Sequence, residues 1–235
     1  MSPTPRHLLV RLPNPLGDVV MATPALRALR RALPDTRLTW VGGRAALAAL
    51  DGLTDRDDVA PIADPHGWKE PLRTGRAWRD LAPDAVLLLP HSFSSAVAGL
   101  KSGASRRTGW GGRQRRPLLN DPVPLALQDG RLAKRPMTAM YLDLVAPYGA
   151  EDDGEGPRVV VTPYDRRRAA RRLGDEDREF LALNPGAAFG PTKVYPPERL
   201  AEAARRVCKE RGLVPLVLCG PGEEALAEET AKQLP

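Results

Sequence analysis

A chain of 235 residues with 42% hydrophobic content can bury one large core or two small ones. Two isolated cysteines, Cys208 and Cys219, exclude a disulfide framework and a zinc site and favour a reducing cytosol. The net charge of +6 is local: residues 101–116 carry six basic side chains and no acid, and the other 29 basic residues balance 29 acidic ones, which excludes a uniformly basic chain and suggests one anionic partner.

No apolar run approaches the ~20 residues of a membrane span, and MSPTPRHLLVRLP lacks the apolar centre of a signal peptide. The first strand is expected at 7–12, HLLVRL. Asn14-Pro15-Leu16-Gly17 turns the chain, and 18–33 reads as one helix with Val19, Ala22, Leu26 and Leu29 on a single face. A strand at 38–41, a short helix at 44–50, a strand near 59–62, a helix around 68–81 and a strand at 85–89 come next. Strands alternating with helices at this pitch predict βαβ units and a doubly wound parallel sheet. A helix at 92–100, a basic loop and a helix at 133–148 complete a first domain, 1–157. It ends in the acidic, glycine-rich break EDDGEGP. The second domain, 158–235, is expected to hold a strand at 180–184, a glycine-rich loop, a helix at 197–211, a strand at 214–219 and a last helix at 223–233. Two strands are few for such a sheet, so this domain is expected to be incomplete.

Five places carry candidate chemistry. Asp18 lies just after the first strand, where open α/β sheets place their ligands; it is either a first-turn acid complementing the helix dipole or a general base. His91 and Ser92 stand after a later strand in the same way. Ser92 is a natural helix cap, and the pair could equally hold a sugar or phosphate. The basic window centres on Arg106, Arg107 and Arg113. It reads as a solvated face, as a site for a phosphorylated lipid headgroup or, last, as a nucleic-acid surface with a single interleaved aromatic.

The fourth place is NPGAAFGPTK, 184–193, between a strand and a helix. Gly186, Gly190, Thr192 and Lys193 supply the backbone N–H groups, hydroxyl and ammonium that cradle a phosphate. The spacing is neither G-x-x-x-x-G-K-[ST] nor G-x-G-x-x-G. The fifth is Glu224 after Gly220-Pro221-Gly222, a first-turn acid or a partner for ribose hydroxyls.

Together, LLVRLPNPLGDVVMATPALRALRRALP (8–34), LPHSFSSAVAGLKSG (89–103), RRTGWGGRQRRPLLND (106–121) and NPGAAFGPTKVYPPERLAEAAR (184–205) resemble the ADP-heptose:lipopolysaccharide heptosyltransferases, glycosyltransferase family 9. The middle two stretches and the AAFGPTK loop are most similar to the members that add the second inner-core heptose. The resemblance implies a GT-B fold of two Rossmann-like domains, the first for the acceptor and the second for the nucleotide sugar. By position, Asp18 matches the general base, Lys193 the lysine at the diphosphate, Thr192 a phosphate-side hydroxyl and Glu224 the acid near the ribose. Arg106, Arg107, Arg113, His91 and Ser92 fall in the acceptor domain, where phosphorylated Kdo–lipid A needs cations.

The implied partners are ADP-heptose, that acceptor and the inner membrane, met peripherally from the cytoplasm, with no nucleic acid. The family also implies catalysis without a metal or other cofactor. Its pattern continues with an Asp-[Ser/Thr]-Gly-x-x-His motif that nothing in 1–235 matches. The resemblance therefore implies that about the last third is missing, that these residues alone turn over weakly, and that the half-sheet exposes apolar surface.

Overall fold

The computed structural model describes residues 3–62, 69–112, 114–128, 131–174, 178–186 and 193–234. Leu8, Leu9 and Val10 of β1 (His7–Arg11) have no exposed surface. A strand apolar on both sides belongs inside a parallel sheet covered on both faces. β2 (Arg37–Gly42), β3 (Asp58–Pro61), β4 (Ala85–Leu88), β5 (Arg106–Trp110) and β6 (Asp121–Val123) join it in one six-stranded sheet of order β3-β2-β1-β4-β5-β6. Every pairing is parallel. This is the doubly wound order, and the direction of winding reverses between β1 and β4, which opens a crevice at their C-terminal ends.

α1 (Leu16–Met21), α2 (Thr23–Ala32) and α3 (Arg44–Ala49) lie on one face. α4 (Glu70–Asp80) and α5 (Phe93–Lys101) lie on the other, where Trp78, Ala96 and Ala98 meet Leu9, Val41, Val86 and Leu88. A short hairpin, β7 (Leu127–Gln128) and β8 (Arg131–Leu132), precedes α6 (Met137–Val145). α6 returns to the first face, packing Met140, Tyr141 and Leu144 with Val10, Leu26 and Trp110.

Three local expectations change. The helix expected over 18–33 is two helices, because Pro24 has no N–H to continue the ladder and the Thr23 hydroxyl takes the Val20 carbonyl instead, at 2.8 Å. The basic window, mostly loop and turn, nevertheless contains an unexpected strand, β5, whose Thr108 and Trp110 are buried. The helix expected from 133 starts only after Pro136 and tightens into a 3-10 turn at Ala146–Tyr148.

The acidic break is not free chain. Asp153 accepts from Arg27 Nε at 2.6 Å and Nη2 at 2.5 Å, and also pairs with Arg31. Arg158 N–H donates to Thr23 Oγ1 at 2.8 Å, and Val160 packs on the first core. The chain accordingly divides into Met1–Thr162 and Pro163–Pro235, a few residues beyond the expected boundary at 157.

The second unit begins with α7 (Pro163–Leu173). β9 (Phe180–Leu183) and β10 (Val214–Val217) pair in parallel, flanked by α8 (Pro197–Arg211) and α9 (Glu224–Ala231). Ala201, Ala204 and Cys208 give α8 a buried stripe, but β10 is only half-buried, and Leu218 and Val207 stand exposed.

His7 is buried at the entry to β1, where Nε2 and Thr39 Oγ1 share a hydrogen bond of 2.8 Å. Burial, then the charge of Arg37, lower its pKa below 6.5. As pH falls through 6.5 the unfolded chain takes up this proton first, so stability is full above that pH and declines below it. Denaturant midpoints measured from pH 7.5 to 5 should fall, and His7→Gln should flatten that slope; an unchanged slope would place the titration elsewhere.

Candidate active site

In the first unit the crevice is walled by the segments after β1, β4 and β5. After β1, Pro15 holds φ −65° and ψ 134° as the cap of α1, which places Asp18 in the helix's first turn. After β4, Ser92 caps α5: its Oγ accepts from Ser95 N–H at 3.2 Å and from Ser94 Oγ–H at 3.1 Å. The capping reading of Ser92 therefore describes what it does here. His91 beside it is exposed, but one ring face lies on Trp110, with centroids 5.4 Å apart and planes inclined by 13°. Burial by that contact, then the Arg115 charge, lower the His91 pKa, and Asp18 opposes them. Asp18 also acts on Tyr141, whose phenol is pushed above its usual range, first by burial. The charge of Asp18 thus reaches His91 and Tyr141, and His91 stacks on Trp110, so these residues cluster about the switch point, with Trp110 and Tyr141 buried in the core.

The basic window divides. Arg106 and Arg107 open β5, and their register partners Ala85 and Val86 open β4, so both arginines sit at the N-terminal edge of the sheet, away from that cluster. Arg106 Nε donates to Asp121 at 2.7 Å, and its guanidinium lies 4.0 Å from the Tyr148 ring centre. Arg107 Nε and Nη1 donate to the carbonyls of Leu118 and Ala104, both at 2.9 Å. Both guanidinium groups are engaged within the fold, Arg106 tying β5 to β6 and Arg107 tying the segments that flank β5. Arg113 lies outside the described residues.

Arg115, a member of the basic window that the sequence reading does not single out, is buried. Gly109 lets it approach β5, where a Cβ would stand 3.1 Å from Arg115 Nη2. It is 6% exposed, and none of its three side-chain nitrogens has a hydrogen-bond partner. Loss of water lowers its pKa to about 10.

In the second unit the loop after β9 starts at Asn184-Pro185-Gly186. Gly190 and Thr192 lie outside the described residues. Lys193 stands just before Pro196, the cap of α8. A Cβ on Gly186 would lie 2.2 Å from the Glu223 carboxyl, and that carboxyl accepts from Gly220 N–H at 2.9 Å. Glu223 therefore joins the two strand ends. Glu224, exposed on the first turn of α9, is held below the usual carboxylate range by its own backbone N–H and that of Gly222. It behaves as a first-turn acid, while the preceding glutamate faces the glycine loop. The turn sequence G-P-G-E, which puts Glu223 at a helix cap, is the available signal.

Among the described residues, no group of three acidic, cysteine or histidine side chains could hold a metal ion. Asp55 and Asp57 have Asp-x-Asp spacing, but Asp57 already accepts from Leu38 N–H at 2.7 Å and Arg30 at 2.6 Å. No helix among them is long and apolar enough to cross a membrane.

The fold is shared with glycosyl transferase family 9 from Veillonella parvula, at a TM-score of 0.83 and 21% identity, over 97% of this chain and 66% of that one. Escherichia coli ADP-heptose lps heptosyltransferase II superposes with a TM-score of 0.80 and 24% identity, over 97% and 69%. These likenesses place the architecture in the GT-B class. In sequence, the chain is 26% identical over 210 residues to Escherichia coli lipopolysaccharide heptosyltransferase 2, covering 86% of this chain. The chain spans 60% of that relative's length. Residues 72–235 match the model of glycosyltransferase family 9 (heptosyltransferase), and the chain belongs to that family.

Proposed function

We propose that the protein is an inverting glycosyltransferase that moves L-glycero-D-manno-heptose from ADP-heptose to the heptosyl-Kdo–lipid A inner core of lipopolysaccharide. The observation that carries this reading is Asp18 in the first turn after β1, at the switch point, where its charge reaches the exposed His91. Asp18 takes the proton of an acceptor hydroxyl as that oxygen bonds to the donor's anomeric carbon. The bond from that carbon to the diphosphate breaks, and ADP leaves with the electron pair. Lys193 and the N–H groups of the glycine loop offset the charge that gathers on ADP. Glu223, set against Gly186, is better placed than Glu224 to accept from ribose hydroxyls.

The acceptor is a lipid, so the working place is the cytoplasmic face of the inner membrane, met peripherally. Internal engagement of Arg106 and Arg107 removes the main support for a nucleic-acid surface.

The test is the gene product carrying this sequence, incubated with ADP-heptose and heptosylated Kdo–lipid A. ADP release that requires the acceptor, with the acceptor's mass rising by one heptose, is expected. Release without acceptor, or none, would sink the proposal.

A further inference from the structure

Among the described residues, two arginines are buried to a similar degree and treated oppositely. Arg27, 9% exposed, is gripped by both oxygens of Asp153 and by the Gly156 carbonyl. Arg115, 6% exposed, has no partner on Nε, Nη1 or Nη2. A buried guanidinium carries five N–H donors and a full charge, and leaving it unpaired is among the costliest arrangements in a protein interior. A framework arginine would have acquired a carboxylate, as Arg27 did. The orphan donors of Arg115, set against the end of β5, define a place for an acceptor that comes from outside.

The position says which ligand it belongs to. Gly109 and Trp110 are successive residues of β5, so they face opposite sides of the sheet. Arg115 borders the Gly109 side, while Trp110 joins the core with Tyr141 on the side of Asp18. His91 lies between, stacked on Trp110 and subject to both the Arg115 and Asp18 charges. A molecule resting across the ends of β4 and β5 meets a carboxylate on one side and a cation on the other.

We propose that Arg115 is the anion-recognition corner of the acceptor site, and that it takes a carboxylate or phosphate substituent of the same saccharide whose hydroxyl meets Asp18. This rests on the glycosyltransferase reading above. It shifts acceptor recognition from Arg106 and Arg107, which are engaged within the fold, to a buried arginine of the window whose side chain has no partner. Gly109 belongs to the device, since any larger residue presses on the guanidinium.

The experiment is calorimetric titration of the chain with the deacylated heptosyl-Kdo–lipid A oligosaccharide, intact, carboxyl-methylated or dephosphorylated. Arg115→Met, similar in length but uncharged, should lower affinity for the intact saccharide about tenfold or more, and Arg115→Lys should recover part of that loss. Removing the anion that Arg115 holds should weaken wild type by a similar factor and leave Arg115→Met unaffected. Methylation having this effect identifies a carboxylate, and dephosphorylation a phosphate. If neither does, or if wild type does not bind, the inference is wrong.

Without saccharide, Arg115→Met should melt at a higher temperature than wild type, because an uncompensated charge has been removed; a lower melting temperature would make Arg115 a framework residue and overturn the proposal. Acceptor-dependent ADP release is a separate readout. Transfer with equal saccharide affinity in wild type and Arg115→Met overturns this inference and leaves the transferase reading standing.

Discussion

Asp18→Asn should lower heptose transfer about 10²- to 10⁴-fold, the usual worth of a positioned general base. That range corresponds to about 3–5 kcal/mol in the barrier. Asparagine keeps the size of the side chain and its place in the first turn of α1. It cannot take the acceptor proton. The structural penalty is small, because a first-turn acid on an exposed helix end contributes about 0.3–1 kcal/mol. ADP affinity should not change, since the candidate donor groups Gly186, Lys193 and Glu223 all belong to the second unit. An internal reporter is available as well. Asp18 raises the His91 pKa against burial and Arg115, so its loss should move the His91 titration further down, visible by NMR. Retained transfer, or equal loss of transfer and ADP binding, would remove Asp18 from the chemistry.

Gly75→Leu should destabilise the first unit by about 3 kcal/mol, at the upper end of the usual cost of overpacking. Gly75 lies in α4 where it crosses α5. A Cβ there would stand 2.5 Å from Lys101 Cβ and 2.6 Å from the Ala98 carbonyl oxygen. These are backbone and near-backbone atoms, so no side-chain rotation relieves the contact, and the helices must separate. Separation uncovers Trp78 and Ala96, which cover Leu9 and Val86 on that face of the sheet. Gly99→Leu is a useful contrast, because the atoms nearest its Cβ belong to the Leu88 and Val86 side chains. The denaturant midpoint measures both. A Gly75 variant as stable as wild type would mean that the helix crossing is looser than described.

Much of this architecture is written locally. β1, β2 and β4 are buried on both faces, so their sequences are nearly continuous apolar runs, and the alternation with helices emerges directly. β5 is hidden because its charged entry, Arg106-Arg107, resembles a loop. The break at Ala22 depends on a single proline. Site residues near strand ends, Asp18 and His91, are visible from position alone.

The arginines are not separable that way. A run of basic residues reveals a concentration of charge, but which member is unpaired depends on Asp121, the Leu118 carbonyl and the Ala104 carbonyl, contacts made only in three dimensions. Glu223 and Glu224 differ by one position, and the turn at Gly222, with φ of +87°, decides which of them points at the glycine loop.

The clamp of Arg27 and Arg31 on Asp153 ties together residues more than a hundred positions apart. Its consequence is one of polymer length. A segment whose composition suggests a slack tether is fastened to the flank of the first unit, leaving little loose chain before α7. The acidic stretch that reads as a linker is therefore part of the folded surface of the first unit.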